Sequence, residues 1–380
     1  MADGSNPTPE VRWQIAEGLD AVVISDNEVL VQFGSRSYPS QLYRDTDLTG
    51  VLGKLFTRLE VASATTAEML SWVASDQRDE AGRLIDSLCE LGILVSTGKS
   101  AVEQYLGLAF TGETDLAARR VSLIGAGPVG AQTAELLLQH GIGGVRLLEH
   151  REPDAVWRAL PRFDGPGSAG TAKLAQVGLR DHLIALGYRG VEAVETSVDE
   201  SLESAVADSD LVMIALEQPD VRLTHLVNRR CIAAGRRWLQ AGIDGGRGVV
   251  GPLFVPGVTA CYNDFRALAD AATPSPLMAR LYREHAAARG ARSFAPGLPA
   301  YAGIVAAFVS LAAVHTLLTG TCFALGRVLT VTFDRMLIDV EDVLKLPRCP
   351  VCGRQRSAYQ PPFSAEIVTR VPADEERGSD

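Results

Sequence analysis

The feature that most constrains the fold is a glycine-rich turn placed between a strand and a helix. A run of β-type residues, 119–124, leads into Gly-Ala-Gly-Pro-Val-Gly at 125–130. Helix-type residues 131–140 follow, and a second apolar run ends at Glu149. Glycines at this spacing, in strand–turn–helix order, are typical of parallel sheets that bind nucleotides. The sequence therefore predicts an α/β domain with a Rossmann-like parallel sheet.

The same turn supplies candidate ligands for a nucleotide. Its glycines let the backbone approach a phosphate at a helix N-terminus, and Glu149 could accept hydrogen bonds from ribose hydroxyls. The candidate cofactor-binding glycines are Gly125, Gly127 and Gly130. The fold alone leaves open whether a nucleotide is bound, because such folds also serve other functions.

A second pattern predicts a divided metal site near the C-terminus. Cys349 and Cys352 form a C-x-x-C pair, and two thiolates can hold one side of a tetrahedral Zn²⁺. Far upstream, Cys261 and Asp264 have the same spacing, so three thiols and one carboxylate are candidate zinc ligands. A redox pair or a metal-free turn are the alternatives for C-x-x-C, and the role of Asp264 as a ligand stays open at this point.

Composition narrows the classes of function. A chain of 380 residues with 47% hydrophobic residues predicts two or three domains with sizeable cores. The net charge of -10 argues against nucleic acid as the main partner. Six cysteines without a disulfide-like pattern, and an N-terminus without an apolar signal core, predict a reducing, cytoplasmic location.

One apolar stretch is close to a membrane span in length. Residues 301–318 contain no charged side chain. The stretch is rich in alanine, carries Ser310 and His315, and is accompanied by no second span in the sequence. We therefore predict no membrane association and a fully buried helix, at a domain core or at a homodimer interface.

The N-terminal part of the sequence predicts a small α+β domain. Short β-type runs at 21–25 and 29–33 flank a polar turn, and helical patterns follow at 48–59 and 79–91. A capping box at Thr65 predicts another helix between these two, and a short apolar strand closes the unit. This order of elements is typical of a winged-helix domain. Its third helix is acidic rather than basic, which argues against DNA as the ligand.

We predict three segments along the chain. They are a winged-helix domain at 1–112, a Rossmann-like domain at 113–348, and a zinc segment with a disordered tail at 349–380. Within the second segment, residues 266–298 are interpreted as a crossover made of helix and loops.

Together these residues resemble the E1-like ThiF/MoeB adenylyltransferase superfamily over residues 115–355. The resemblance rests on the glycine turn, Glu149, Asp210, Leu211, Val212, Arg222, Asn228, Gly248, Cys261, Tyr262, Cys349 and Cys352. Enzymes of this superfamily bind ATP, adenylate the C-terminal Gly-Gly of a partner protein, and are usually homodimers with a tetrathiolate zinc site. The resemblance therefore implies nucleotide binding, dimerisation and structural zinc.

A narrower resemblance concerns the two ends of the chain. The N-terminal part looks like the PqqD-like winged helix that recognises leader peptides of ribosomally made natural products. The segment Leu-Pro-Arg-Cys-Pro-Val-Cys-Gly at 346–353 is typical of ThiF-like partner proteins of azoline-forming and thiopeptide pathways. The resemblance implies capture of a precursor's leader and its presentation to a separate YcaO cyclodehydratase.

Departures from the enzyme pattern argue against adenylation. Where adenylating members place an Asp for Mg-ATP, this chain has Glu217, and one extra methylene matters in a tight octahedral site. Lys173 takes the place of the phosphate-facing lysine, with a plain surface lysine as the alternative. The N-x-x-R-Q segment is replaced at 157–162, and 266–298 holds no cysteine for a thioester. We predict weak or no ATP binding at this degenerate site.

The sequence thus favours a peptide-binding adaptor on an enzyme-type fold. We expect an extended leader to pair with the edge of the 21–33 hairpin, at Leu30 or Val31. Its apolar side chains would enter a groove beside the third helix, at Leu84 and Leu88, for which plain core packing is the alternative reading.

Three other functions compete with this hypothesis. The main alternative is an active ATP-dependent adenylyltransferase that acts on a carrier protein or a peptide C-terminus. A NAD-dependent oxidoreductase fits less well, because the sequence shows no catalytic His or Tyr-x-x-x-Lys placement after the glycine turn. A winged-helix transcription factor fits less well still, because of the charge.

Overall fold

The computed structural model describes residues 10–34, 40–110, 112, 115–149, 174–217, 219–289 and 298–353. The chain forms two compact units, 1–114 and 115–380. The tail predicted to be disordered lies outside the described residues, as do residues 290–297 of the predicted crossover.

The N-terminal unit contains two three-stranded antiparallel sheets and a set of helices. Its strands are β1 (Arg12–Ile15), β2 (Leu19–Ser25), β3 (Glu28–Phe33), β4 (Ser40–Arg44), β5 (Ala64–Thr65) and β6 (Leu94–Ser96). Its helices are α1 (Val51–Leu59), α2 (Thr66–Ser71), α3 (Arg78–Glu90) and α4 (Ala101–Ala109), with a 3₁₀ turn at Ser75–Gln77. The strand orders are β5-β1-β6 and β2-β3-β4.

Local sequence explains how these helices begin and pack. The predicted capping box is present at α2, where the Glu68 N–H donates to Thr65 Oγ1 and the Thr65 N–H donates to Glu68 Oε2. The apolar spacing of α1 buries Leu55 and Phe56 in one core with the inner face of α3. Strands β1 and β4 were not predicted, because each is short and carries several polar residues.

The second unit is built on one eight-stranded sheet. Its strands are β7 (Arg120–Ile124), β8 (Gly144–Leu148), β9 (Val191–Ala193), β10 (Leu211–Leu216), β11 (Trp238–Asp244), β12 (Arg247–Phe254), β13 (Arg327–Thr332) and β14 (Leu337–Asp342). The order is β14-β13-β12-β11-β10-β7-β8-β9. The strands from β11 to β9 pair in parallel, and β12, β13 and β14 are added in antiparallel pairing. The predicted α/β class with a Rossmann-like sheet is confirmed.

Helices connect and cover these strands. They are α5 (Pro128–Gln139), α6 (Ala175–Ala185), α7 (Val198–Ala207), α8 (Val221–Ala234), α9 (Tyr262–Ala271), α10 (Pro276–Arg289) and α11 (Pro299–Thr319). The predicted apolar helix is α11, which packs against α5, β11 and β12. Among the described helices it alone is long and apolar enough to cross a membrane, yet 56% of its most apolar window is buried.

Candidate functional site

The glycine-rich turn joins β7 to α5, and close packing requires each of its glycines. Gly125 has a φ of 119°, and a Cβ there would overlap the carbonyl oxygen of Ala215 on β10. A Cβ at Gly130 would overlap the carbonyl oxygen of Gly125. A Cβ at Gly127 would overlap the carboxylate of Glu217. Contacts within the chain are therefore sufficient to explain the glycine pattern.

Two carboxylates of the chain accept hydrogen bonds from this turn. Glu149, just after β8, accepts a 2.7 Å hydrogen bond from the N–H of Ala126. Glu217, just after β10, accepts a 2.8 Å hydrogen bond from the N–H of Val129 in the first turn of α5. Glu149 is 7% exposed and Glu217 is 4% exposed. Carboxylates are favourable here, because the first N–H groups of a helix have no partner within it.

In this conformation two N–H groups of the turn are already bonded to carboxylates of the chain. A phosphate at the turn would compete with Glu217 for the N–H of Val129. The other predicted parts of the nucleotide site, Lys173 and residues 157–162, lie outside the described residues.

The four predicted metal ligands converge from two distant segments. Cys261, Asp264, Cys349 and Cys352 each offer one ligand atom, and these atoms all lie within 4.8 Å of one another. The Sγ atoms of Cys261 and Cys349 are 3.7 Å apart. The thiol of Cys352 donates to Oδ2 of Asp264 over 3.1 Å. We refer to these four residues as the cysteine–aspartate cluster; the group could hold a metal ion.

The cluster fits a tetrahedral cation. A zinc–sulfur bond of about 2.3 Å places two thiolates of a tetrahedral site roughly 3.8 Å apart, close to the observed separation. Asp264 is fully buried, and its Oδ1 has no hydrogen-bond partner among the described residues. Such a buried oxygen is unfavourable unless a donor or a cation satisfies it. Burial raises the pKa of the Cys261 thiol, and a bound cation would offset this by stabilising the thiolate.

The start of α9 positions half of the cluster. Cys261 is the N-cap of α9, and its N–H donates to Oδ2 of Asp264 over 2.9 Å. On α8, the fully buried Asn228 accepts a 3.1 Å hydrogen bond from the N–H of Tyr262. In the sequence, Asn228 is notable only through the family resemblance. A buried amide on the apolar face of α8, between Val227 and Cys231, is the signal that could have revealed its positioning role.

The N-terminal unit corrects the expected site of peptide pairing. Leu30 and Val31 lie on β3, which pairs with β2 on one side and with β4 on the other. Backbone groups on both sides of β3 are therefore used within the sheet, and in the described part of the chain its outer strands are β2 and β4. Leu88 is 1% exposed and belongs to the core, against which the partly buried Leu84 packs.

Strand β4 ends close to the start of α3. The segment after β4 includes Thr49, whose carbonyl accepts a 3.2 Å hydrogen bond from the Gln77 side chain. The Thr49 hydroxyl lies 3.4 Å from Oε1 of Glu80 on α3. On β4 itself, Tyr43 packs against the core and Leu42 is 40% exposed. Among the described strands β4 pairs only with β3, and the segment that follows β4 contacts the start of α3.

Part of the second unit matches a known protein family. Residues 167–351 match the ThiF family, so the chain carries a ThiF family domain. No curated protein matches the chain.

Solved structures share the fold over most of the chain. Escherichia coli MccB is 17% identical, with a TM-score of 0.58 over 93% of this chain and 100% of MccB. The microcin C7 biosynthetic enzyme MccB, solved with N-formylated MccA, is 17% identical, with a TM-score of 0.60 over 90% of this chain and 100% of that one. A heterocyclase, solved with substrate and cofactor, is 14% identical, with a TM-score of 0.60 over 90% of this chain but 40% of its own.

Proposed function

We propose that the chain is a non-catalytic adaptor in the biosynthesis of a ribosomal peptide natural product. It captures the leader segment of a precursor peptide and presents it to a YcaO-type cyclodehydratase for azoline formation. The observation that carries the proposal is the glycine turn, whose N–H groups are bonded to Glu149 and Glu217. MccB solved with N-formylated MccA, and a heterocyclase solved with substrate, share the fold and support a peptide ligand.

The proposed binding mode is strand addition at β4. An extended leader pairs with the open edge of β4, and its side chains on one face lie against the start of α3. Backbone hydrogen bonds supply affinity without requiring a particular sequence, and exposed Leu42 offers an apolar contact at the edge. A PqqD-like peptide-recognition role for the N-terminal unit remains part of this proposal.

The cysteine–aspartate cluster is proposed to hold one structural zinc ion. Cys261 and Asp264 begin α9, whereas Cys349 and Cys352 lie beyond β14 near the end of the described chain. A bound Zn²⁺ would therefore join two segments whose ligands are far apart in sequence. Three thiolates and one carboxylate are within the ligand chemistry of zinc, although four thiolates are more common.

A cytoplasmic homodimer is the proposed assembly. On α11, Leu311 is 41% exposed in a helix without charged residues, which a second copy could cover. Leu311→Arg should then reduce the mass measured by light scattering from two chains to one. A single-chain mass for the unaltered protein at micromolar concentration would exclude the dimer.

The adaptor function is tested by calorimetric titration of the full chain, in the absence of ATP, with a precursor peptide whose gene lies beside the gene of this chain. Leu42 on β4 and Val22 on β2 both lie opposite Leu30, so they form a matched pair on the two edges of one sheet. Leu42→Asp should weaken leader binding about tenfold or more, which is about 1.4 kcal/mol or more. Val22→Asp should leave binding nearly unchanged, because its edge is not used by the leader. Equal effects of the two changes would contradict pairing at β4.

An active adenylyltransferase is the second candidate, favoured by the glycine turn and by the fold shared with MccB. It requires ATP and the C-terminus of the peptide, whereas the adaptor requires only the leader. Pyrophosphate exchange that depends on the cognate peptide and disappears in Glu217→Ala would establish the enzyme and exclude the adaptor.

A further inference from the structure

The second open edge of the β2-β3-β4 sheet borders a groove. The groove has a volume of about 730 Å³ and is lined by residues 14–22, Gln32 and residues 59–63. Strand β2 forms one wall, and the turn between α1 and β5 lies across from it. We refer to this feature as the β2 groove. It lies on the opposite side of β3 from β4, where the leader is proposed to bind.

The wall of the β2 groove can accept another strand. Among the described strands, β2 pairs only with β3, so its outward backbone groups are not used by the sheet. An unpaired edge is a template for strand addition. Val22 is 51% exposed, Ile24 on the same strand is 55% exposed, and Val61 across the groove is 86% exposed. These β-branched side chains offer apolar contacts to an added strand.

Charge selects the kind of strand that fits. Of the described residues that line the groove, Glu17, Asp20 and Glu60 carry exposed carboxylates, and none is a lysine or an arginine. A second copy that paired β2 with β2 would place these acidic groups near their own copies, in a chain of net charge -10. Like charges across paired strands are destabilising, whereas opposite charges are favourable. The complementary occupant is therefore a basic segment.

We propose that the β2 groove binds an extended basic segment of a partner protein by strand addition. The segment alternates lysine or arginine with apolar residues. On the face that Asp20 shares with Val22, the basic groups reach Glu17, Asp20 and Glu60 and their aliphatic stems lie along Val22 and Val61, while the apolar residues share the opposite face with Ala21 and Val23. The same small sheet would then bind two chains, one at each edge. This inference does not depend on the leader site, because the two edges share no strand.

The test uses the full chain and a synthetic probe. The probe is the acetylated and amidated peptide Lys-Val-Lys-Val-Lys-Val-Lys, which equals β2 in its seven-residue length. Its binding is measured by fluorescence anisotropy, and its location by hydrogen–deuterium exchange. We expect protection of the amides of 19–25, and no binding by the matched peptide with glutamate in place of lysine.

Charge-reversal variants separate a built site from general attraction to an acidic protein. Asp20→Lys with Glu60→Lys changes the groove, and Asp339→Lys with Glu341→Lys makes the same charge change on the exposed outer strand β14. The groove variant should lose about tenfold in affinity, about 1.4 kcal/mol, and the β14 variant should lose little. Equal losses, or no protection of β2, would overturn the proposal.

Two further measurements exclude other occupants. If the precursor leader displaces the probe, the leader itself binds in the β2 groove. The proposal of a separate site for a partner protein would then be wrong. Loss of a dimer when the probe binds would make a second copy the occupant and overturn it as well. Leader binding that responds to Leu42→Asp but not to the groove variant supports two independent sites. Failure of the leader to bind while the probe still protects β2 would count against the adaptor function alone.

Discussion

Buried carboxylates lie at the start of two helices in the second unit. The two places differ in which groups form hydrogen bonds with the carboxylate oxygens. At the start of α5, Glu217 accepts a hydrogen bond from Val129, and Glu149 accepts one from Ala126. At the start of α9, Asp264 accepts hydrogen bonds at Oδ2, but Oδ1 has no partner among the described residues. The first arrangement satisfies the turn from within the chain. The second leaves a buried carboxylate oxygen beside three thiols, without a donor among the described residues.

The more recognisable of the two motifs is the one whose N–H groups are already bonded within the chain. The glycine turn has the full nucleotide signature, yet its glycines make room for Ala215, Glu217 and the turn's own backbone. The cysteine–aspartate cluster has a weaker signature, since each segment supplies only half of a site. Its four ligand atoms nevertheless lie within 4.8 Å of one another, and the Cys261 and Cys349 sulfurs have the separation expected of two thiolates in a tetrahedral site.

Disruption of the cysteine–aspartate cluster should cause the largest change, both in zinc content and in the free energy of unfolding. Cys349→Ser removes a ligand, so zinc content measured by mass spectrometry should fall from about one ion per chain to nearly none. A ligand held at a thousand times its Kd stabilises the folded state by about 4 kcal/mol, which sets the scale of the expected loss in chemical unfolding. The control is Cys322→Ser, a half-buried thiol outside the cluster. If the unaltered protein contains no zinc, and its cluster thiols are freely alkylated in the native state, the cluster is not a zinc site.

The second largest effect concerns Glu217. Glu217→Ala leaves the N–H of Val129 without its acceptor, which should lower the free energy of unfolding by about 1–3 kcal/mol. The same change frees the turn, so ATP binding measured by calorimetry should be weak or absent in the unaltered protein and no weaker in the variant. Glu217→Gln keeps an acceptor but removes the charge, and should lie between the two in stability. Tight ATP binding that Glu217→Ala abolishes would make Glu217 a ligand of the nucleotide complex. The glycine turn would then be a nucleotide site.

A smaller effect is expected at Asn228, which holds the start of α9. In Asn228→Ala the N–H of Tyr262 loses its acceptor, and the cluster should release zinc to a chromophoric chelator about tenfold faster, in line with other residues that support metal ligands. Thr224→Val is the matched control on α8, because it alters contacts near the Tyr262 ring but not the backbone bond to Asn228. Identical release rates in the two variants would show that Asn228 does not position the ligands.

The smallest effect is a pH dependence of stability that arises on α11. His315 lies on α11, which packs against α5, and burial lowers the pKa of His315. The native state therefore binds this proton less readily than the unfolded chain, so the stabilising contribution is present above the unfolded pKa of about 6.5 and is lost as pH falls below it. His315→Gln should make the free energy of unfolding depend less on pH between 7.5 and 5.5, compared at equal metal content. An unchanged slope would show that His315 contributes nothing to it.

The accuracy of the sequence-based predictions differed between elements. The β2–β3 hairpin, the capping box of α2 and the apolar helix α11 follow from local patterns, because each pattern reports a periodicity or a cap within a few residues. Strand β4 was missed, since its sequence, Ser-Gln-Leu-Tyr-Arg, has no clear alternation and is stabilised by pairing with β3. That omission led to the wrong expectation of an open edge at Leu30 and Val31.

For the candidate sites, too, the sequence indicated residues but not the contacts between distant segments. The sequence indicated all four members of the cluster, because metal ligands are restricted in residue type and spacing. It could not show that Asp264 faces Cys352, a contact between residues far apart in sequence. Nor could it show that Glu217 lies on Val129, because the end of β10 and the start of α5 meet only when β10 pairs beside β7.

The sequence by itself determined the α/β class, the glycine turn and the identities of the cluster residues. These properties depend on residue type, short-range spacing and backbone preferences, which act within one or two turns of chain. The long-range contacts of the folded chain place its own carboxylates on the turn, pair β3 on both sides, and leave one oxygen of Asp264 without a donor among the described residues. Those outcomes depend on which strands pair and which groups lose water together, and such long-range contacts are not written in any single segment.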